Sequence, residues 1–395
     1  NVTGTVHLGT DKYITVNTGN QTGASELHLL LDDPYDERVI AQYTTVPDSA
    51  EIGKYILPDA IMEHYVLAIE TTRVVLKNRT AAYVDGINGN DDNNDGTTPD
   101  SAVKTLKKAY QNLRESGGTI YIVATVTIPE YLYLTDTEYR DTDTDVAITD
   151  GKTVTISRYA QPTAAQGTAP TLTTGYGKES CLGELLKIQN GSYLMLDGIR
   201  IDGHSAARTD GAETVKADGV KAKAAMICVE NGTLAVTGTT VLKNNNNTSD
   251  ASFGGAVWIG SAGEAQINGG AFSENASAHG AGIYDAGALK MAGEIDLDTA
   301  QEIYLEENQK IQVTDALSTV SGTLLVDFPT DSYVNRHVVA EYAEGLTPEK
   351  ELYILQQTDV MTERNLSLSA EGQQVLLSTG YPVTYDLTYA TKGDP

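Results

Sequence analysis

The stretch Gly232–Gly293, GTLAVTGTTVLKNNNNTSDASFGGAVWIGSAGEAQINGGAFSENASAHGAGIYDAGALKMAG, repeats itself three times. A glycine, a short apolar run and a second glycine recur as GTLAVTG at Gly232–Gly238, GEAQING at Gly263–Gly269 and GALKMAG at Gly287–Gly293. GSYLMLDG at Gly191–Gly198 is the same motif with one residue inserted, and successive starts lie 41, 31 and 24 residues apart. Short strands at such intervals, joined by loops of variable length, describe a solenoid in which each repeat is one turn of chain. Other landmarks keep phase. Gly254-Gly255-Ala256-Val257 and Gly280-Ala281-Gly282-Ile283 start 26 residues apart, and Val241-Leu242-Lys243-Asn244 and Phe272-Ser273-Glu274-Asn275 each begin three residues after a second glycine. Glycine and asparagine fall where a coil must turn sharply or adopt left-handed backbone. The pattern predicts an all-β parallel β-helix. Its expected inward-facing residues are Val154, Ile156, Leu172, Ile188, Leu196, Ile201, Val229, Val236, Ile267, Phe272, Ile283 and Met291.

Upstream lies YVDGINGNDDNNDGTTPDSAVKTLKKAYQNLRESGGTIYIVATVTI, Tyr83–Ile128. Thr98-Pro99 is a cap-then-proline start, Ala102, Leu106, Ala109, Tyr110 and Leu113 recur at helical spacing, and Gly117-Gly118 end the run. These residues predict a helix over 99–116 lying across the end of the strand stack, followed directly by the first strand.

The two ends of the chain also resemble each other. HLGTDKYITV at His7–Val16 lines up with YLEENQKIQV at Tyr304–Val313, LLLDDP at Leu29–Pro34 with LLVDFP at Leu324–Pro329, and VIAQY at Val39–Tyr43 with VVAEY at Val338–Tyr342. VLAIETTRVVL at Val66–Leu76 matches LSLSAEGQQVLL at Leu366–Leu377. Four blocks in one order point to a duplication. The expected organisation is a β portion of one repeat unit at 1–79, a β-helix with its cap at 80–299, a second copy of the β portion at 300–380, and a linker or further module at 381–395. A longer tandem array is the natural context for such a chain.

The opening YVDG-x-NG-x-D…DG-x-TP…A-x-x-T at Tyr83–Thr105, with the GGAV and FSEN pairings, resembles the right-handed parallel β-helix modules of bacterial surface proteins, the pectate-lyase-like adhesive domains. The resemblance covers about Tyr83–Gly293 and implies a right-handed, single-stranded, pectin-lyase-like β-helix. It is specific for fold and weak for function, because the same fold serves lyases, hydrolases and adhesins.

Composition narrows the partners. Lys+Arg of 27 against Asp+Glu of 54 gives a net charge of −27, which argues against nucleic acid and anionic membrane. No run of eighteen apolar residues marks a membrane span. The two cysteines, Cys181 and Cys228, are too few for a disulfide scaffold, and the six histidines show no ligand spacing. The 22 tyrosines suit a half-wet sheet surface. Tyr131, Tyr133, Tyr139, Tyr159, Tyr176 and Tyr193 crowd the first coils, where they either stack on carbohydrate or cover sheet.

Candidate chemistry is sparse. Asp91, Asn93 and Asp95 present oxygens at alternate positions before Gly96, as calcium loops begin, but the twelfth position is Ala102 rather than glutamate. No cofactor is required, and calcium is the one candidate ion. Asp197 and Asp202, in LMLDGIRIDGH, are a carboxylate pair of the kind hydrolysis needs, and also the Asp-Gly corners a coil needs. As an enzyme the chain would rely on Asp197, Asp202, His204 and Lys216. The insertion His204–Ala225 places Arg208, Lys216, Lys221 and Lys223 on a loop, which together with Tyr193 make the expected ligand-binding set. The expected function is a non-catalytic extracellular or cell-surface stalk or adhesin repeat for glycan or protein, monomeric within its array; a polysaccharide lyase or glycoside hydrolase is the alternative.

Overall fold

The computed structural model describes residues 5–17, 26–62, 65–113, 117–128, 146–148, 152–158, 171–174, 186–203, 225–247, 253–329, 337–355 and 364–379. The long apolar-polar runs of these residues form strands that pair chiefly in parallel, each with its counterpart one repeat later. Two stacks result, a 14-stranded sheet and an 8-stranded sheet. Every described pair in the 8-stranded sheet is parallel, running through Leu186–Ile188, Ile227–Val229, Val257–Ile259, Ile283–Asp285 and Ile303–Leu305 to Tyr353–Leu355. Parallel pairing between successive repeats requires the chain to travel round and return once per repeat, so the architecture is β-helix-like.

One coil shows how the sequence does this. Thr233–Lys243 starts in register with Tyr193–Asp197 on one side and Glu264–Ser273 on the other. Alternation sends Leu234 and Val236 inward, where both are fully buried. At Gly238 the backbone is left-handed (φ 60°), and the register shifts between Gly238 and Val241. The strand bends there into a second wall, Val241–Lys243, which pairs with Arg200–Asp202. After Asn244-Asn245 the chain reaches the third wall at Val257–Ile259. The first glycine of each motif has a different task. A Cβ on Gly287 would lie 2.2 Å from the Gly260 carbonyl oxygen and 2.4 Å from that of Gly263, so the close approach of two coils demands its absence.

The interior of the stack from Ala82 onward is one continuous apolar column, and residues 5–76 hold a separate core of their own. Val154, Ile156, Ile188, Leu196, Ile201, Val229, Val236, Ile267, Phe272, Ile283 and Met291 are all fully buried in the column; the side chain of Leu172 lies outside the described residues.

Three local expectations differ from the structure. The helix expected over 99–116 is broken: Pro99–Ser101 is a single 3₁₀ turn capped by Thr98, and the α-helix is Leu106–Asn112 with Thr105 as its cap. Between them Val103 bridges Val84 in parallel, giving its N–H to Tyr83 O (3.0 Å) and accepting from Asp85 N (2.9 Å), so sheet pairing outcompetes helix there. The expected apolar face is nonetheless kept, with Ala102, Leu106, Ala109 and Leu113 buried; residues 114–116 lie outside the described residues. In the second wall Leu242, not Val241, pairs with Phe272, which makes Asn245 the partner of Asn275. The extra residue of GSYLMLDG is Gly191, and Ser192 occupies the place that Gly232 fills in the next coil, since Tyr193 pairs with Thr233.

The two chain ends repeat one topology. Thr5–Leu8 pairs with Leu27–Leu31, and that with Tyr55–Ile56; Ile303–Leu305, Leu324–Asp327 and Tyr353–Leu355 follow the same order. Ile14–Val16 pairs with Val39–Tyr43, which turns antiparallel onto Arg73–Asn78 and then Tyr65–Glu70. Ile311–Thr319, Val338–Tyr342, Gln374–Thr379 and Arg364–Leu368 reproduce this path, including the bulge at Val39/Ala41 and Val338/Ala340. Even the side chains correspond: the hydroxyls of Tyr43 and Tyr55 are hydrogen-bonded (2.5 Å), as are those of Tyr342 and Tyr353 (3.0 Å). The strand register places Leu27 opposite Leu324 in this comparison, two residues from the alignment of LLLDDP with LLVDFP, because Leu27 pairs Tyr55 where Leu324 pairs Tyr353. The sheets continue across residues 299 and 300, so the strands from Ile303 onward close the same stack.

Candidate functional site

The acidic turn is shaped by its own acceptors. Asp91 takes hydrogen bonds from Lys104 N (2.7 Å), Thr105 N (3.0 Å) and Thr105 Oγ1 (2.7 Å), which pins the start of the Leu106–Asn112 helix. Asp95 Oδ1 accepts from Thr97 N (3.0 Å), Thr97 Oγ1 (2.9 Å) and Ser101 Oγ (2.6 Å). Burial works to raise the Asp95 carboxyl, and the donors Ser101 and Thr97 with the nearby Arg79 outweigh it, holding it below its usual value. Asn93 is exposed, and its N–H donates to Asn90 Oδ1 (3.1 Å). Among the described residues no three His, Cys, Asp or Glu side chains are grouped as a metal site would need.

Asp197 and Asp202 sit on different walls. Asp197 ends a first-wall strand, is exposed, and accepts from Thr237 Oγ1 (3.3 Å) one coil on. Asp202 ends a second-wall strand, accepts from Asn244 Nδ2 (3.0 Å) and lies 3.5 Å from Lys243 Nζ. Both therefore tie one coil to the next, and each is spoken for by a neighbour. Tyr193 is half-buried between Thr153 and Thr233, and burial pushes its hydroxyl up. His204, Arg208, Lys216, Lys221 and Lys223 lie outside the described residues, as do Tyr131, Tyr133, Tyr139, Tyr159, Tyr176 and Cys181.

A feature not anticipated from the sequence lies on the outer face of the third wall. Its middle positions are Cys228, Trp258, Tyr284 and Tyr304, in register one above another. Tyr284 and Tyr304 stack with centroids 5.4 Å apart and planes 7° apart. Phe253 and His279, themselves stacked at 5.6 Å, lie against Tyr284 and Tyr304 respectively. Trp258, Tyr284 and Tyr304 are 8%, 5% and 6% exposed, so the rings are spent on one another and present no open face to a ligand. The Tyr284 hydroxyl donates to Glu306. The signal was present in the triplets VWI, IYD and IYL, each with an aromatic at its middle position after a β-branched residue.

Two carboxyls beside this ladder are perturbed. Asp285 shares the inward face of Ile283, is fully buried, and accepts from Gly287 N (2.9 Å) through Oδ1, while Oδ2 has no hydrogen-bond partner. Burial pushes it up to about 7 against that one bond. Burial likewise raises Glu302 to about 7, opposed by the Gly280 N–H (3.2 Å) and helped by Asp327. Asp285 faces the core and cannot meet a substrate; Glu302 is 7% exposed and caps a loop.

No protein-family model, curated protein or solved structure matches the chain. Among the described residues no helix is long and apolar enough to cross a membrane.

Proposed function

We propose that the chain is a non-catalytic, extracellular module of a bacterial surface protein, a stalk or adhesive repeat for glycan or protein. In this reading the coil is right-handed and pectin-lyase-like, as the YVDG and GGAV/FSEN resemblance implies, and one repeat unit consists of a β-helix followed by its closing module. The observation that carries it is the closing module itself, present twice with one strand order, one bulge and one tyrosine pair. Repetition of a whole module adds reach and valency, which serve adhesion and not a single active site. The ties between Asp197 and Thr237 and between Asp202 and Asn244 support the same side, since those carboxylates serve coil stacking.

The competing reading is a polysaccharide lyase or glycoside hydrolase. Incubation with pectins, mucin glycans and host polysaccharides tests the two: the proposal expects retention of some glycans or proteins on the immobilised chain with no new reducing ends. Unsaturated uronates or reducing ends would replace it with the enzyme. The function needs no cofactor. Calcium at Asp91, Asn93 and Asp95 would have to displace the donors of Thr97, Ser101, Lys104 and Thr105, and calorimetric titration with calcium measures whether it does.

A further inference from the structure

The two closing modules differ at one edge. In the second, Ile303–Leu305 and Ile311–Thr319 are each paired on both sides, with Ile283–Asp285 and Ala288–Leu297 before them and with the module's own strands after. In the first, the corresponding Thr5–Leu8 and Ile14–Val16 are paired only with Leu27–Leu31 and Val39–Tyr43 among the described residues. Burial follows the pairing. Ile303 and Ile311 are fully buried, whereas their counterparts Val6 and Ile14 are half-exposed. His7, in the place of Tyr304, is exposed, while Tyr304 is covered by the stack on Tyr284. Two adjacent strand edges, unpaired on one side among the described residues and with apolar side chains only half covered, form a template for another parallel layer.

We propose that Thr5–Leu8 with Ile14–Val16 is a docking edge for the last β-helix coil of a neighbouring repeat unit, built as Ile283–Leu297 is built. The inference rests on the tandem reading of the closing module but not on its adhesive role. The second module supplies the occupant by example, because the same two strands there carry that coil in parallel register. A second molecule of this chain cannot offer it without unseating its own Ile303–Thr319 from the same place.

The test joins a copy of residues 80–299 ahead of Thr3, the residue that corresponds to Ala300 by the Val6-to-Ile303 match, and follows amide hydrogen exchange. Peptides spanning Thr5–Val16 should exchange at least about tenfold more slowly in the joined protein than in the chain alone. The double substitution Val6→Arg, Ile14→Arg should leave the chain alone folded, with the protection of Val39–Tyr43 and Arg73–Asn78 retained, and return Thr5–Val16 in the joined protein to fast exchange. Unchanged exchange at Thr5–Val16 while the added coils are themselves protected would overturn the proposal. Where the added coils are not protected, Val6→Cys in the chain alone decides: rapid, concentration-independent maleimide labelling is expected, and slow labelling overturns it. Protection that grows with concentration in the chain alone would assign the edge to a second copy and also overturn it. None of these readouts depends on a glycan, so loss of the adhesin reading leaves them intact.

Discussion

Asp285 is the residue on which the interior of the stack is least at ease. It holds a carboxylate among the inward positions of Ile259 and Leu305, with a single hydrogen bond from Gly287. Its carboxyl rises from 3.8 to about 7 on folding, so the folded chain keeps a proton that the unfolded chain has lost. The penalty is absent below about pH 4, grows as pH rises, and is complete above about pH 7, with a ceiling of about 4 kcal/mol at ~1.4 kcal/mol per pKa unit. Asp285→Asn should therefore stabilise the chain at pH 8 by about 1–3 kcal/mol in urea unfolding, with the gain fading by pH 4; a gain independent of pH would contradict the burial account. At the corner, Asn245 N donates to Asn275 Oδ1 (3.1 Å), and Asn275 Nδ2 donates to Leu242 O (3.0 Å) and Gln301 Oε1 (2.9 Å). Asn275→Ala should cost about 2–4 kcal/mol by stranding these groups. Asn244→Gly, at a left-handed φ of 59°, should stay within about 1 kcal/mol, as thermal melts of both variants would show. Reading VLKN against FSEN merged these two roles, because the bulge after Gly238 shifts the pairing by one residue and no periodicity in the sequence marks it.

At the scale of the element, the coil is set by where a side chain is forbidden. Gly287→Ala places a methyl group against the carbonyls of Gly260 and Gly263, and backbone on both sides leaves no flexible group to yield. A cost of about 3 kcal/mol or more is expected by urea unfolding, whereas Gly53→Ala, with nothing within 4 Å, should change stability by less than about 1 kcal/mol. The glycine spacing was legible for this reason: both roles, close approach and left-handed bend, exclude other residues. The 99–116 helix was half legible. Thr98-Pro99 and the apolar face were read correctly as local signals, but the break depends on Val84 and Asp91, partners distant in the chain that local propensity does not contain. The outer aromatic ladder escaped for a similar reason, since it becomes visible only when Trp258, Tyr284 and Tyr304 are brought into register.

From Ala81 onward the described strands form a parallel stack ended by a module that turns antiparallel, as Val338–Tyr342 does onto Gln374–Thr379, while residues 5–78 build sheets of their own. That reversal stops further parallel growth at the far edge and manages an edge that would otherwise recruit strands. The end-to-end resemblance was visible in four blocks of sequence, and two of them keep the structural correspondence throughout; a third, VLAIETTRVVL, keeps it only at its end, because Leu67 and not Val66 holds the place of Leu366. The fourth, LLLDDP, slips by two residues, a shift that preserves which side chains point inward and so leaves no hydrophobic mismatch to betray it. The candidate site was less legible: Asp197 and Asp202 look like a catalytic pair in sequence and are separated onto two walls by the bend at Gly198 (φ 64°). The central claim, that one module is present twice with one copy seated on a β-helix coil and the other not, meets its most direct test in a hydrogen-exchange map of the unaltered chain. Amides of Ile303–Leu305 and Ile311–Val313 should be as protected as those of Val257–Ile259, and amides of Thr5–Leu8 and Ile14–Val16 should exchange far faster than their counterparts. Equal protection of the two sets would contradict it.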